Sequence, residues 1–220
     1  GPFLSGSVIS AFAQSSAIVD WQTPTSDLAD TLDSLLTGLV QSPDDFAHLT
    51  EDDLSIALSI ASDRMERHAP ASAALALARL VGVEDQRGNP EGAYAAADRF
   101  VDIADPDSDR LTKIPSYLLD QVATALLRRG DRQSAEKLLQ FMLHRTQSQV
   151  DLDPENTQWQ RDLSISHERV GDIRVATGDR EGARKAFEAG MEIAEEMLVI
   201  QMLIMMTLAM MMKKFEVLIL

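Results

Sequence analysis

The chain has no cysteine. Disulfide bridges, thiolate nucleophiles and cysteine-held metals are thereby excluded, while the compartment stays open. Aromatic residues are few, 5% against 45% apolar residues overall, so the apolar content is mainly aliphatic. Such a core suits close helix–helix contact better than a sheet, which draws on β-branched and aromatic side chains. Positive charge is also short. Lys and Arg number 20 against 35 Asp and Glu, for a formal net charge of −15, and residues 1–110 hold 19 of the acids but 6 of the bases. That surface repels phosphate backbones, which argues against nucleic acid as a partner. It either solvates the chain or attracts a basic partner.

Signatures of catalysis are missing as well. There is no Walker-type glycine loop, no dinucleotide fingerprint after a strand and no Gly-x-Ser-x-Gly elbow. The four histidines, His48, His68, His144 and His167, stand far apart without zinc-ligand spacing. His48 near Asp44 and Asp45 reads as a solvated loop residue. Carboxylates at i, i+4 belong to any helix surface and do not by themselves mark acid–base chemistry. The expectation is a protein that is not an enzyme and takes no cofactor and no metal.

What is there is helical periodicity. Gly1-Pro2 resembles a purification-tag remnant and is set aside. Phe3 to Gln14 is apolar and closes on Ala11-x-Ala13, which reads as a first helix or the end of an export signal. The localisation expected is cytoplasmic, or periplasmic if residues 3–13 end such a signal. Asp27–Val40 puts Leu28, Leu32, Leu35, Leu36 and Leu39 on one face. Thr50 caps a helix carrying Leu54, Ala57, Leu58, Ala61 and Met65, which ends before Pro70. Another runs from about Ala71 to Gln86, with Gly88 as its stop.

From there the sequence repeats itself. Gly88-Asn-Pro-Glu-Gly-Ala93, Gly130-Asp-Arg-Gln-Ser-Ala135 and Gly178-Asp-Arg-Glu-Gly-Ala183 align, each with an apolar residue four further on: Ala97, Leu139 and Phe187. Glycine ends one helix, a polar residue such as Asp131 or Asp179 caps the next, and alanine lets two helices approach closely. Helix pairs repeated in register cannot each bury an apolar stripe alone, so they must stack.

The block from Trp159 to Gly190, with small Gly171, turn Gly178, small Ala183 and aromatic Phe187, resembles a bacterial tetratricopeptide repeat. The 110s–140s match less closely and residues 71–104 less again. The resemblance implies an all-α fold: a right-handed superhelical array of antiparallel helix hairpins, an α-solenoid of about 9–10 helices. The expected layout is a tag remnant at 1–2, N-terminal helices at 3–68, repeats over 71–195 (about 71–104, 115–148 and 157–195) and a hydrophobic segment at 196–220. There are departures. Turn spacing is 42 residues from Gly88 to Gly130 and 48 from Gly130 to Gly178, against about 34 for the family. The excess is expected in loops, at Ala104–Pro115 and from Arg145 to Trp159. Arg174 occupies a position where the family has a packing residue.

The resemblance further implies a scaffold that binds another protein in a concave groove lined by the first helix of each pair. Carried over, that groove holds Leu75, Ala78 and Asp85, then Tyr117, Asp120, Thr124, Leu127 and Arg128, then Ile165, Glu168, Asp172 and Val175. Its acidic cast favours a peptide or helix with basic and apolar residues. A sensor or regulatory segment of a larger enzyme or signalling protein is the alternative role.

The end of the sequence breaks style. Met197–Met212 reads MLVIQMLIMMTLAMMM, with Lys213-Lys214 after it. Sixteen apolar-rich residues fall short of the roughly 20 that span a bilayer, although a membrane-tethered assembly factor stays open. A Met-rich partner helix with Met197, Met202, Met205, Met206 and Met210 in self-association fits the adaptability of thioethers. A buried helix capping the array, or sequence foreign to the rest of the chain, are the remaining readings.

Overall fold

The computed structural model describes residues 28–104 and 111–219, with side chains from Asp33 to Met212 outside that gap. Eight α-helices occupy them and no strand: α1 (Leu28–Gln41), α2 (Glu51–Met65), α3 (Pro70–Gln86), α4 (Pro90–Ile103), α5 (Ser116–Arg129), α6 (Arg132–Leu152), α7 (Thr157–Thr177) and α8 (Arg180–Ile219). The fold is an all-α, solenoid-like helical repeat. Two compact units divide at Leu138 and Leu139, within α6. The readings placed on residues 1–27 lie outside the described residues.

The first unit is held by the stripes that the periodicity picks out. Leu35, Leu36, Leu39 and Val40 of α1 are buried, as are Ala57, Leu58, Ala61 and Met65 of α2. Helix α3 is buried on most of its circumference, from Ala73 to Ala78 and at Leu80 and Val81, because α2, α4 and α5 all pack on it. Alanine fills much of this helix, so its neighbours come close. Leu75 and Ala78, expected on the groove, are therefore core residues, 7% and 0% exposed.

The three glycine turns are built alike. Gly88, Gly130 and Gly178 have φ of 69°, 99° and 86°, the left-handed region that a Cβ disfavours. In each, the next residue donates its N–H to the carbonyl five residues back: Asn89 to Glu84 at 2.9 Å, Asp131 to Leu126 at 2.9 Å, Asp179 to Arg174 at 2.8 Å. The same residue caps the following helix, its side chain accepting from Gly92 at 3.2 Å, Ser134 at 3.1 Å and Gly182 at 2.9 Å respectively. One residue thus closes one helix and opens the next. The alanines that follow, Ala93, Ala135 and Ala183, are all buried.

In the second unit α7 and α8 form the main hairpin, and the C-terminal part of α6 meets α7 where Thr146 and Ser166 share a buried hydroxyl contact of 3.3 Å. Here the structure corrects the sequence expectation. The residues that lengthen the spacing between Gly130 and Gly178 are helix: α6 and α7 are 21 residues each. Neither Gly nor Pro occurs between Asp131 and Asp153, so nothing stops α6 before Pro154. Helix α8 then runs unbroken for 40 residues, through the expected boundary at 196. Its segment from Leu198 to Met212 is exposed, which removes the reading of a buried capping helix.

Candidate functional site

In the first unit the facing sides of α3 and α5 leave two openings on either side of Gln121. The smaller, of about 80 Å³, is bordered by Asp85, Tyr94, Asp120, Thr124 and Arg128. The wider, of about 350 Å³, is bordered by Asp44, Arg79, Gln86 and Tyr117. Of the residues expected there, Tyr117, Asp120, Thr124 and Arg128 border one opening or the other, while Leu127 lines neither. Tyr117 is 58% exposed. An aromatic ring that far out of the core is free to cover an apolar ligand group.

Helix spacing explains the line. Tyr117, Asp120, Gln121, Thr124 and Arg128 follow i, i+3, i+4, i+7 and i+11 on α5, which is one face. The opposite face carries the buried Leu119, Val122, Ala123 and Leu126. Arg128 is paired with Asp85 at 2.7 Å across the two helices. Arg79 donates to the Val40 carbonyl at 2.8 Å, so it is spent on the wall. Gln121 was not expected from the sequence. Its side-chain oxygen is buried and without a hydrogen-bond partner among the described residues. It stands where a Cβ at Gly82 would lie 2.6 Å away. No local sequence pattern marks that approach, which depends on α3 and α5 meeting.

Behind this face lies a second unforeseen group. Glu84, 5% exposed, accepts from Arg87 at 2.8 and 2.9 Å, from Asn89 Nδ2 at 2.6 Å and from the Ser55 hydroxyl. Arg87 in turn reaches Asp52 at 2.6 Å, and these partners hold its guanidinium pKa above the ordinary value. The network ties α2, α3 and the first glycine turn together.

The second unit has its own surface. Ile165, Glu168, Asp172 and Val175 all lie exposed on α7, with Asp172 3.9 Å from Arg169. His167 is half-buried, and burial, reinforced by Arg174, pushes its imidazole below the ordinary value. The Phe187 ring lies on Gly171. Arg174, in its unexpected place, donates to the Gly182 carbonyl at 3.1 Å and faces Asp179 at 3.9 Å. It latches the third turn. A groove of about 430 Å³ runs between the first turns of α7 (Thr157, Gln158, Arg161) and Met197, Ile200, Ile204 and Met205 of α8. Met202, Met206 and Met210, named as self-association residues, are 64%, 56% and 59% exposed. Among the described residues no three His, Asp or Glu side chains converge as metal ligands would.

No protein-family model matches the sequence, and no curated protein does either. Among solved structures, BtubC (BKLC) from P. vanneervenii is similar with a TM-score of 0.54 and 16% identity, over 86% of this chain and 71% of that one. MamA gives a TM-score of 0.27 at 16% identity, over 66% and 91%. At such identity the first likeness is one of fold alone, and the second is too slight to build on.

Proposed function

We propose that the chain is a tetratricopeptide-type scaffold that binds a peptide or short helix, and that the α3–α5 face of the first unit is where it does so. The observation that supports this reading is the single open line on α5, with exposed Tyr117 between Asp44 and Asp120 on a helix whose other face is core. A concave opening with one aromatic and a few fixed polar groups is the usual form of a ligand site. Asp85 is already neutralised by Arg128. Asp44 adds exposed negative charge to the wider opening, which selects basic residues in a ligand with an apolar residue over Tyr117. The exposed Glu168 of α7 gives the second unit negative surface charge of its own.

Selection of peptides from a random displayed library by the full chain tests it. Sequences enriched in Lys or Arg beside an apolar residue are expected, with affinity falling as salt rises. Charge reversal at Asp44, and separately Tyr117→Ala, should each weaken the selected peptides about tenfold or more. Enrichment of acidic peptides, or unchanged binding by these variants, overturns the proposal.

A further inference from the structure

The exposed part of α8 is apolar on every side. From Met197 to Met212 its polar residues are Gln201 and Thr207, and the Thr207 hydroxyl donates to the Leu203 carbonyl at 2.8 Å within the helix. Leu198, Val199, Ile200, Met202, Leu203, Ile204, Met205 and Met206 are each 43–64% exposed. At 100° per residue, eight such positions go all the way round a helix. From these observations we infer that this part of α8 inserts across a lipid bilayer.

An occupant of this surface has to cover all of its faces. A second copy packed side by side covers one stripe about 100° wide and leaves the rest in water. Two chains of formal charge −15 also repel one another. A helix lying flat in the membrane interface needs a charged face, and this segment has none. Hydrocarbon alone touches the whole circumference, and a helix is the form in which a backbone enters it satisfied. Helix α8 is, among the described residues, long and apolar enough to cross a membrane, and none of its apolar window is buried. Met197–Met212 is about 24 Å long, a few ångström short of a hydrocarbon core of about 30 Å, a mismatch that local thinning of the bilayer accommodates. Polar groups stand at the near end, where Glu195 and Glu196 precede the segment; Thr157, Gln158 and Arg161 of α7 border one side of Met197–Met205 across an open groove.

The test is flotation of the full chain with phosphatidylcholine vesicles, in high salt and then in alkaline carbonate. Retention on the vesicles through both washes is expected. The variant L203E/M206E/M210E, altered where nothing packs, should keep its helical signal and lose retention, by about 100-fold for each carboxylate near mid-bilayer. Because the chain lacks cysteine, Met206→Cys and Glu192→Cys each give one labelling site. A polarity-sensitive dye at 206 should be shielded from aqueous iodide and quenched by brominated lipid, and the dye at 192 should show the reverse. A chain that stays in the aqueous fraction overturns the inference. So does release by salt, retention of the triple variant, or a lipid-free oligomer in which position 206 is already shielded, which would assign the surface to a second copy.

Discussion

The Phe187 ring lies so close over Gly171 that a Cβ on Gly171 would sit 2.5 Å from its Cε1. The two residues are on α7 and α8, and their fit sets how near the helices come. Gly171→Ala gains about 1 kcal/mol of helix propensity but forces a half-buried ring to move, at about 1–3 kcal/mol. The clash should win or break even, leaving the variant less stable by up to about 2 kcal/mol in urea unfolding. In a Phe187→Leu background the same change should turn neutral or stabilising, and that non-additivity is the diagnostic result.

Asn89 does what Asp131 and Asp179 do in the other turns, and by repeat logic Asn89→Asp should be harmless. The structure says otherwise. Nδ2 of Asn89 donates to buried Glu84 at 2.6 Å, so an aspartate there would set two carboxylates against each other. Asn89→Asp should cost about 1–3 kcal/mol at neutral pH, although the cap is kept. Stability relative to the parent should recover as pH falls and one carboxyl of the pair takes a proton, read as a midpoint shift across a pH series.

Asp131 is held below its ordinary pKa of 3.8, first by the Ser134 side chain and then by the Ser134 backbone N–H. A depressed carboxylate stabilises the fold above its unfolded value, and that contribution disappears as pH falls through the lower folded value. Asp131→Ala should lose about 1 kcal/mol at neutral pH. Asp131→Asn should keep most of the cap while flattening the acid limb below about pH 4.

His167 works in another window. Burial lowers its pKa from 6.5, so the folded chain favours the neutral ring while the unfolded chain takes up a proton first. Its contribution is complete above 6.5 and declines as pH drops from there to the lower folded value. His167→Gln should remove that decline, which thermal melts from pH 7.5 to 5.5 would reveal.

Much of this fold was legible because it rests on local chemistry. Gly88, Gly130 and Gly178 take left-handed backbone, Thr50 accepts from the Asp53 N–H at 3.2 Å as a cap should, and the aliphatic stripes are the core. The α5 line was legible for the same reason, since the 3.6-residue period puts Tyr117, Asp120, Thr124 and Arg128 on one face. What escaped depends on meetings between helices distant in sequence. Gln121 against Gly82, and Glu84 gathering Ser55, Arg87 and Asn89, leave no periodic trace. The spacing of 48 residues shows where residues were added but not that they lengthen α6 and α7, until the lack of a breaker before Pro154 is weighed.

Helix α8 also has a consequence for folding. A helix in water is costly to nucleate and cheap to extend. Its first part, to Gly190, is clamped against α7 at Phe187 and by the Ser164 hydroxyl on the Gly190 carbonyl at 2.9 Å. That clamped part supplies the nucleus, and in water the residues beyond Met205, where α7 no longer borders the helix, are held only by propagation from their predecessors. Amide exchange in lipid-free buffer should therefore quicken steadily from Gly190 towards Met212, a gradient of fraying along one continuous rod.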